Sequence, residues 1–376
     1  MIIQMQTIRN TEIKMTLRLR VLPSLMVASL VLAACGPAAL PSPITEPTSA
    51  SQADLSGIKA YLLGKIGELK TTTASLSATS NTYYELANAG NFDYAALWTS
   101  QPNEVKNLIE SARESWKAAS PLYEQTEGIV AGTPALAEFD VILDAGASGA
   151  EDPEGAVPFD LTLPNGRVLP KPGNLFGVTE ATLWGTFGEF TSPVDADWDG
   201  DGQIEFGEAL PEANVLKAAT EAMDLYVGEL QAAAQAWTPS ESDAFTALVV
   251  MVPTMSEYFD SWKNSRFVVG ENSTQRDFVA ISRLADIQDI LGSLQIVHNN
   301  VSPLIQNVDA AQNAQIEQGL ADLKAFVADV HRQELGGKRF TAEEADLLGA
   351  EAQNRATAIV GLVAQVAAKL EIEIAE

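Results

Sequence analysis

Apolar residues recur along most of the chain at steps of three and four, the period of a helix with one buried face. Leu55, Ile58, Leu62, Ile66 and Leu69 form one such stripe, Met223, Tyr226, Leu230, Ala233 and Trp237 a second, and Ile316, Leu320, Leu323, Val327 and Val330 a third. A fourth runs through Leu348, Ala352, Ile359, Val363, Val366 and Leu370, behind Thr341 and Glu344, which are spaced to cap a helix start reciprocally. The helix before it is expected to stop at Gly336 and Gly337. Sustained alternation of period two is missing. The pattern therefore predicts an all-α protein of two helical bundles, over 54–237 and 238–376, parted by "TPSESD" at Thr238.

Residues 131–213 break the pattern. Prolines and glycines crowd there around a short apolar helix, "LFGVTEATLWG", and around "DWDGDGQIEFGE", residues 197–208. Irregular insertions in a bundle are where function concentrates. The second stretch fills every position of a calcium-coordinating loop. Asp197, Asp199 and Asp201 supply side-chain oxygens, Gly202 the sharp turn, Gln203 a backbone carbonyl, Glu205 a water-mediated contact and Glu208 a bidentate carboxylate, with Ile204 expected in apolar packing. Pro193 and Pro211 leave no room for a long helix on either side, so a calcium loop is expected without a full EF-hand. Acids packed this closely repel one another unless a cation neutralises them. At the millimolar calcium outside cells, a Kd of roughly 10⁻⁴ M would add on the order of 1.4 kcal/mol to stability. That suits an ion that braces the insertion better than one that signals.

The N-terminus reads as a processing signal. Arg18 and Arg20 precede "VLPSLMVASLVLAA", too short to span a membrane comfortably, which runs into Cys35. The stretch resembles a bacterial lipobox. Residues 1–34 are then a lipoprotein signal peptide, Cys35 carries the lipid, and the Pro, Ser and Thr rich residues 35–53 are a flexible tether. Cys35 is the sole cysteine, so no disulfide is available. The expected location is the cell envelope, on the extracytoplasmic side, in the periplasm or on the outer face of the plasma membrane. Formal net charge is −27 over 376 residues, with the acids spread along the chain. Phosphate neutralisation needs Lys and Arg, so nucleic acid is excluded and cations or neutral molecules are favoured.

Catalytic signatures are poor. His298 and His331 are the only histidines, without HExxH spacing, and neither a GxSxG elbow nor a phosphate-cradling glycine loop occurs. A binding protein is expected.

"FGVTEATLWG", Phe176 to Gly185, resembles the motif of the imelysin-like, or HxxE-motif, family, which includes the EfeO-type cell-envelope component of ferrous iron uptake. "ARESWKAASPLYE" from Ala112, "FDVILDA" from Phe139 and "SRLADIQDILGSLQIVHNNVSPLI" from Ser282 are similar to further segments of that family, in the same order. The resemblance implies two bundles related by a pseudo-twofold and a transition-metal site, iron included. It also implies a permease or haem-containing peroxidase as partner. The motif histidine falls on Gly177 and its glutamate on Glu180, while an acid that often precedes the Pro turn falls on Ser120. Loss of imidazole weakens a transition-metal site. Glu180 is then expected to meet Asp140 or Asp144 in a degenerate second site, or to pair with an arginine such as Arg113. The family's name derives from a claimed peptidase, but the histidines needed for a zinc hydrolase are absent. The alternative is a structural or interaction module that binds polysaccharide or protein and is stabilised by calcium.

Overall fold

The computed structural model describes residues 53–375. The expected signal peptide, Cys35 and nearly all of the expected tether lie outside them. Among the described residues no helix is long and apolar enough to cross a membrane.

In chain order come α1 (Ser56–Ala89), α2 (Tyr94–Ser100) and α3 (Pro102–Val130), then the insertion with α4 (Ala137–Asp140) and α5 (Leu175–Trp184), then α6 (Ala213–Ala236). α1 buries Ile58, Leu62, Ile66 and Leu69 and extends that face through Leu76 and Tyr83. It packs on α3 and α6. α6 buries Met223, Val227, Leu230 and Ala234, so its stripe sits one residue from the expected one, with Tyr226, Ala233 and Trp237 half-buried at its edge. A helix turns 100° per residue, and a stripe of five apolar positions tolerates that rotation when its neighbours are also apolar.

The second group is α7 (Glu241–Met251), α8 (Met255–Asn264), α9 (Arg266–Val269), α10 (Arg283–Val308), α11 (Ala310–Leu335) and α12 (Ala342–Lys369). Reciprocal side-chain caps start α7, at Ser240 and Asp243, and α12, at Thr341 and Glu344. α11 stops at Gly336, with Gly337 left-handed at φ 90°. α10 packs on α11, α7 and α8, and also on α3 of the first group. That seam makes one continuous apolar core, from Leu62 and Tyr123 to Leu294 and Val363.

Among the described residues strand is confined to the insertion: β1 (Leu161–Thr162) pairs with β2 (Val168–Leu169), and β3 (Thr191–Asp195) with β4 (Ala209–Pro211), both antiparallel. Between the two hairpins runs α5, buried on every side along its whole length. Asn174 caps its start by accepting from the Gly177 N–H at 2.7 Å, and Gly185 ends it at φ 72°. A helix apolar all round belongs in a core, and this one carries Glu180 into it.

Candidate metal centre

The buried face of α3 runs through Trp116, Ala119 and Tyr123, and it continues with two acids, Glu124 and Glu127. They are three apart and so project from one side of the helix. Facing them is Asp144, on a single π-helical turn, Val141–Ala145, that comes directly after α4. Such turns recur at functional sites because the extra residue re-aims side chains. Glu124, Glu127 and Asp144 are 2%, 3% and 5% exposed. One carboxylate oxygen from each lies within 4.8 Å of the others, near enough to share one cation.

Their hydrogen bonding is incomplete. Glu124 Oε1 accepts from Arg283 Nη1 at 3.3 Å, and Glu127 Oε1 from the Tyr258 hydroxyl at 2.6 Å. Glu124 Oε2, Glu127 Oε2 and Asp144 Oδ2 are buried without a hydrogen-bond donor. Buried acceptors are ordinarily satisfied, and an ionised one left bare costs several kcal/mol. Three on one trio call for a neutralising partner, a proton or a cation.

Arg283 is the counter-charge the chain itself provides. Its guanidinium is 3.1 Å from Asp286 and 3.8 Å from Asp144, besides Glu124, and lies over the rings of Phe278 and Tyr258. Burial works against its charge, but Glu124, Asp286, Asp144 and Glu127 hold it protonated. One arginine is too few for the acids around it. Burial and mutual repulsion push Glu124 and Asp140 well above the usual carboxylate range. Burial raises Asp144 to about 8 and Asp286 to about 6, with Arg283 opposing both shifts.

A cleft of about 420 Å³, lined by Glu127, Asp140, Asp144, Tyr258, Asp277 and Arg283 among others, leads to the trio from outside. Behind it lies an enclosed chamber of about 10 Å³ bounded by Glu124, Asp144, Glu180, Asp277 and Asp286. That is the scale of one water or small ion. A larger groove of about 750 Å³ lies between the start of α1 and the 238–241 turn, but Lys59 and Glu241 are its only charged residues.

The expected second site is regrouped. Asp144 belongs to it, but Asp140 accepts from the Tyr123 hydroxyl at 2.8 Å and lies outside the trio. Glu180 faces the second bundle, accepting from the backbone N–H groups of Phe278, Val279 and Ala280 at 2.6, 2.9 and 2.8 Å. Burial pushes it up to about 8 against the pull of those three bonds. Arg113 is not its partner. That guanidinium donates to the carbonyls of Leu183 and Gly207, at 2.7 and 2.5 Å, between the Trp184 and Trp198 rings. At Gly177 an added Cβ would stand 2.7 Å from Asp277 Oδ2, so the carboxylate of Asp277 fills the place a side chain there would take. Glu124 ends the family-like segment from Ala112 and Glu127 lies just past it, but no motif pairs them, and acids continuing an apolar stripe were the available signal. Tyr258 and Asp277 lie outside the family-like segments, and Arg283, inside the one from Ser282, carries no sign of its partners, since all three arrive from the other bundle.

The loop 197–208 joins β3 to β4, and α6 begins only at Ala213, so strands and not helices flank it. Asp197, Asp199 and Glu208 converge. Asp197 accepts from the N–H groups of Gly200 and Gly202, and Glu208 from those of Trp198 and Glu205. Gly202 makes the expected turn, at φ 84°. Asp201 instead turns to the Gln203 N–H at 2.7 Å, and Glu205 is exposed. Ile204 departs from expectation, standing in solvent at 52% exposure.

The histidines stand apart from the trio. His298 is buried within α10, and His331 on α11 meets Gln288.

A two-group helical fold with a helix-bearing insertion and an acidic centre on the seam defines a class, and the family model for imelysin, which also carries the label peptidase M75, matches residues 67–368. The chain belongs to the imelysin family. Among solved structures it is similar to a protein assigned as an iron-regulated protein A precursor, from Parabacteroides distasonis ATCC 8503. Identity is 14%, coverage is 85% of this chain and 97% of that one, and the TM-score is 0.47. No curated protein matches the chain.

Proposed function

We propose that the protein is a lipid-anchored, extracytoplasmic cation-binding component related to iron uptake, which holds its ion at Glu124, Glu127 and Asp144 and turns over no substrate. The observation that carries this is the set of three converging, buried carboxylate oxygens without donors. Family membership supports the link to iron. An all-oxygen set suits hard cations, the manganous ion included, better than copper or zinc. The cleft is lined by more acids than arginines, which concentrates free cations and repels anionic chelates. A permease or haem-containing peroxidase would receive the ion, and lipid on Cys35 would keep the donor at the membrane. The loop at 197–208 takes calcium and braces the insertion, a role supported by the complete ligand pattern and the convergence of Asp197, Asp199 and Glu208.

Titration calorimetry with Mn²⁺ and Fe²⁺ tests the centre, with calcium saturating the loop. Glu127→Gln is expected to weaken binding about 100-fold, since one ligand charge is lost from three. Equal affinity in wild type and variant would refute the assignment. Replacing Cys35 with Ser is expected to abolish labelling by a fatty acid.

Arg283 favours a second reading. A guanidinium among the acids can replace a metal, leaving a structural module stabilised by calcium with polysaccharide or protein as partner. Elemental analysis of the purified protein separates the two, as does a permease or peroxidase gene beside this one.

A further inference from the structure

The loop between α9 and α10 meets the first bundle and its insertion at several points: the Thr186 hydroxyl donates to the Arg276 carbonyl, Arg276 pairs with Glu151 at 3.3 Å, and the backbone just beyond them converges on one side chain. Three successive backbone N–H groups, of residues 278, 279 and 280, donate to the two oxygens of Glu180, which is 1% exposed. The turn they belong to is not one the chain adopts freely. Phe278 has φ 55°, in the left-handed region that a bulky residue rarely adopts. α10 begins just beyond this turn, where Ser282 caps the helix and Arg283 is its first residue. The Phe278 ring lies 3.7 Å from the Arg283 guanidinium, and Asp277 stands over Gly177. Fixing residues 278–280 therefore fixes where Arg283 and Asp286 enter the acidic centre.

We propose that Glu180 is a positioning residue of the metal centre. It clamps the 277–280 turn of the second bundle to α5 of the insertion, so that Arg283 and Asp286 are held against Glu124 and Asp144. The proposal rests on reading the trio as a cation site. Glu180 is no ligand: both its oxygens accept from backbone donors, and it is not among the carboxylates that converge. It acts through the turn, as a carboxylate behind a metal site orients the groups that face the ion.

The test uses the full protein, with Glu180→Gln and the milder Glu180→Asp. Glutamine keeps the shape but turns an NH₂ toward groups that are themselves donors. Hydrogen exchange in metal-free protein is expected to show the amides of 278–280 losing protection at least tenfold. Titration with Mn²⁺ is expected to show affinity falling about 10-fold, although Glu124, Glu127 and Asp144 are untouched. Aspartate, one methylene shorter, is expected to give the same changes at smaller size and keeps the test open should glutamine prevent folding. Lost Mn²⁺ binding with unchanged exchange would make Glu180 a ligand and overturn the proposal. Faster exchange with unchanged Mn²⁺ affinity would also overturn it, leaving a clamp without influence on the centre. A wild type that binds no Mn²⁺ refutes the cation site itself, whereas unchanged exchange at 278–280 refutes the clamp whatever the metal does.

Discussion

Two groups of carboxylates in this molecule use the same chemistry in opposite surroundings. At the 197–208 loop, Asp197, Asp199 and Glu208 accept from their own loop's backbone, and Asp199 and its neighbours stand in water. Hydrogen bonds from Gly202 and Gly200 draw Asp197 below the usual carboxylate range. At the seam between the bundles, Glu124, Glu127 and Asp144 are dry, and each keeps an oxygen without a donor. Burial there raises Glu124 and Asp144 far enough for protons to compete with metal. A hydrated, self-capped loop can lose its ion and lose little. The buried trio depends on a counter-charge, whether Arg283, protons or a metal.

The largest effect is expected from removing that counter-charge. Arg283→Met leaves Glu124, Asp144 and Asp286 facing one another without a cation, and breaking a buried pair from one side costs about 3–5 kcal/mol. Urea denaturation reads it, and a loss below about 1 kcal/mol would mean that protons already neutralise the acids.

The pH dependence of metal-free protein sharpens the contrast. Asp144 and Glu180, raised to about 8, stay protonated in the folded chain while their unfolded counterparts ionise near 4. The folded state then binds more protons, so stability is fully present below about pH 4 and is lost as pH rises through about 8. Thermal melts in chelator are expected to show a lower Tm at about pH 8 than at about pH 5, and a bound cation should reduce the difference. A Tm that rises over this range contradicts the buried assignment.

Next comes Gly177→Ala, whose Cβ must displace Asp277, at about 1–3 kcal/mol. Gly177→His is blocked for the same reason, and it creates a transition-metal site only with Asp277 shortened. Asp277→Ala should relieve the alanine variant in a double-mutant melt, and additive losses would show that the two positions do not compete for space.

The smallest effect belongs to the exposed loop. Asp197→Asn with Asp201→Asn is expected to remove a calcium-dependent stabilisation of about 1.4 kcal/mol at millimolar calcium. A wild-type Tm indifferent to calcium would show that the loop needs no ion.

The helices are legible in the sequence because their cause is local. The stripe from Ile316 to Val330 and the Thr341–Glu344 cap depend on neighbours within one or two turns, and they stand where periodicity places them. The turn at 197–208 is visible for the same reason, since the carboxylates that converge there, Asp197, Asp199 and Glu208, lie within one short stretch. The centre is not. Asp144 and Glu124 both fall within family-like segments and Glu127 is lost on an apolar stripe, so nothing shows that the three meet, and Glu180 reads as a ligand because its position in a motif is visible while its partners are not. Those partners, the amides of 278–280, come from the other bundle, as do Arg283 and Tyr258. Sequence by itself determined where helices begin, end and turn apolar faces inward, because a helix is written in residues three and four apart. Only tertiary structure decided which buried acids meet, because desolvation and pairing are set by what packs across the seam, and nothing along the chain records that.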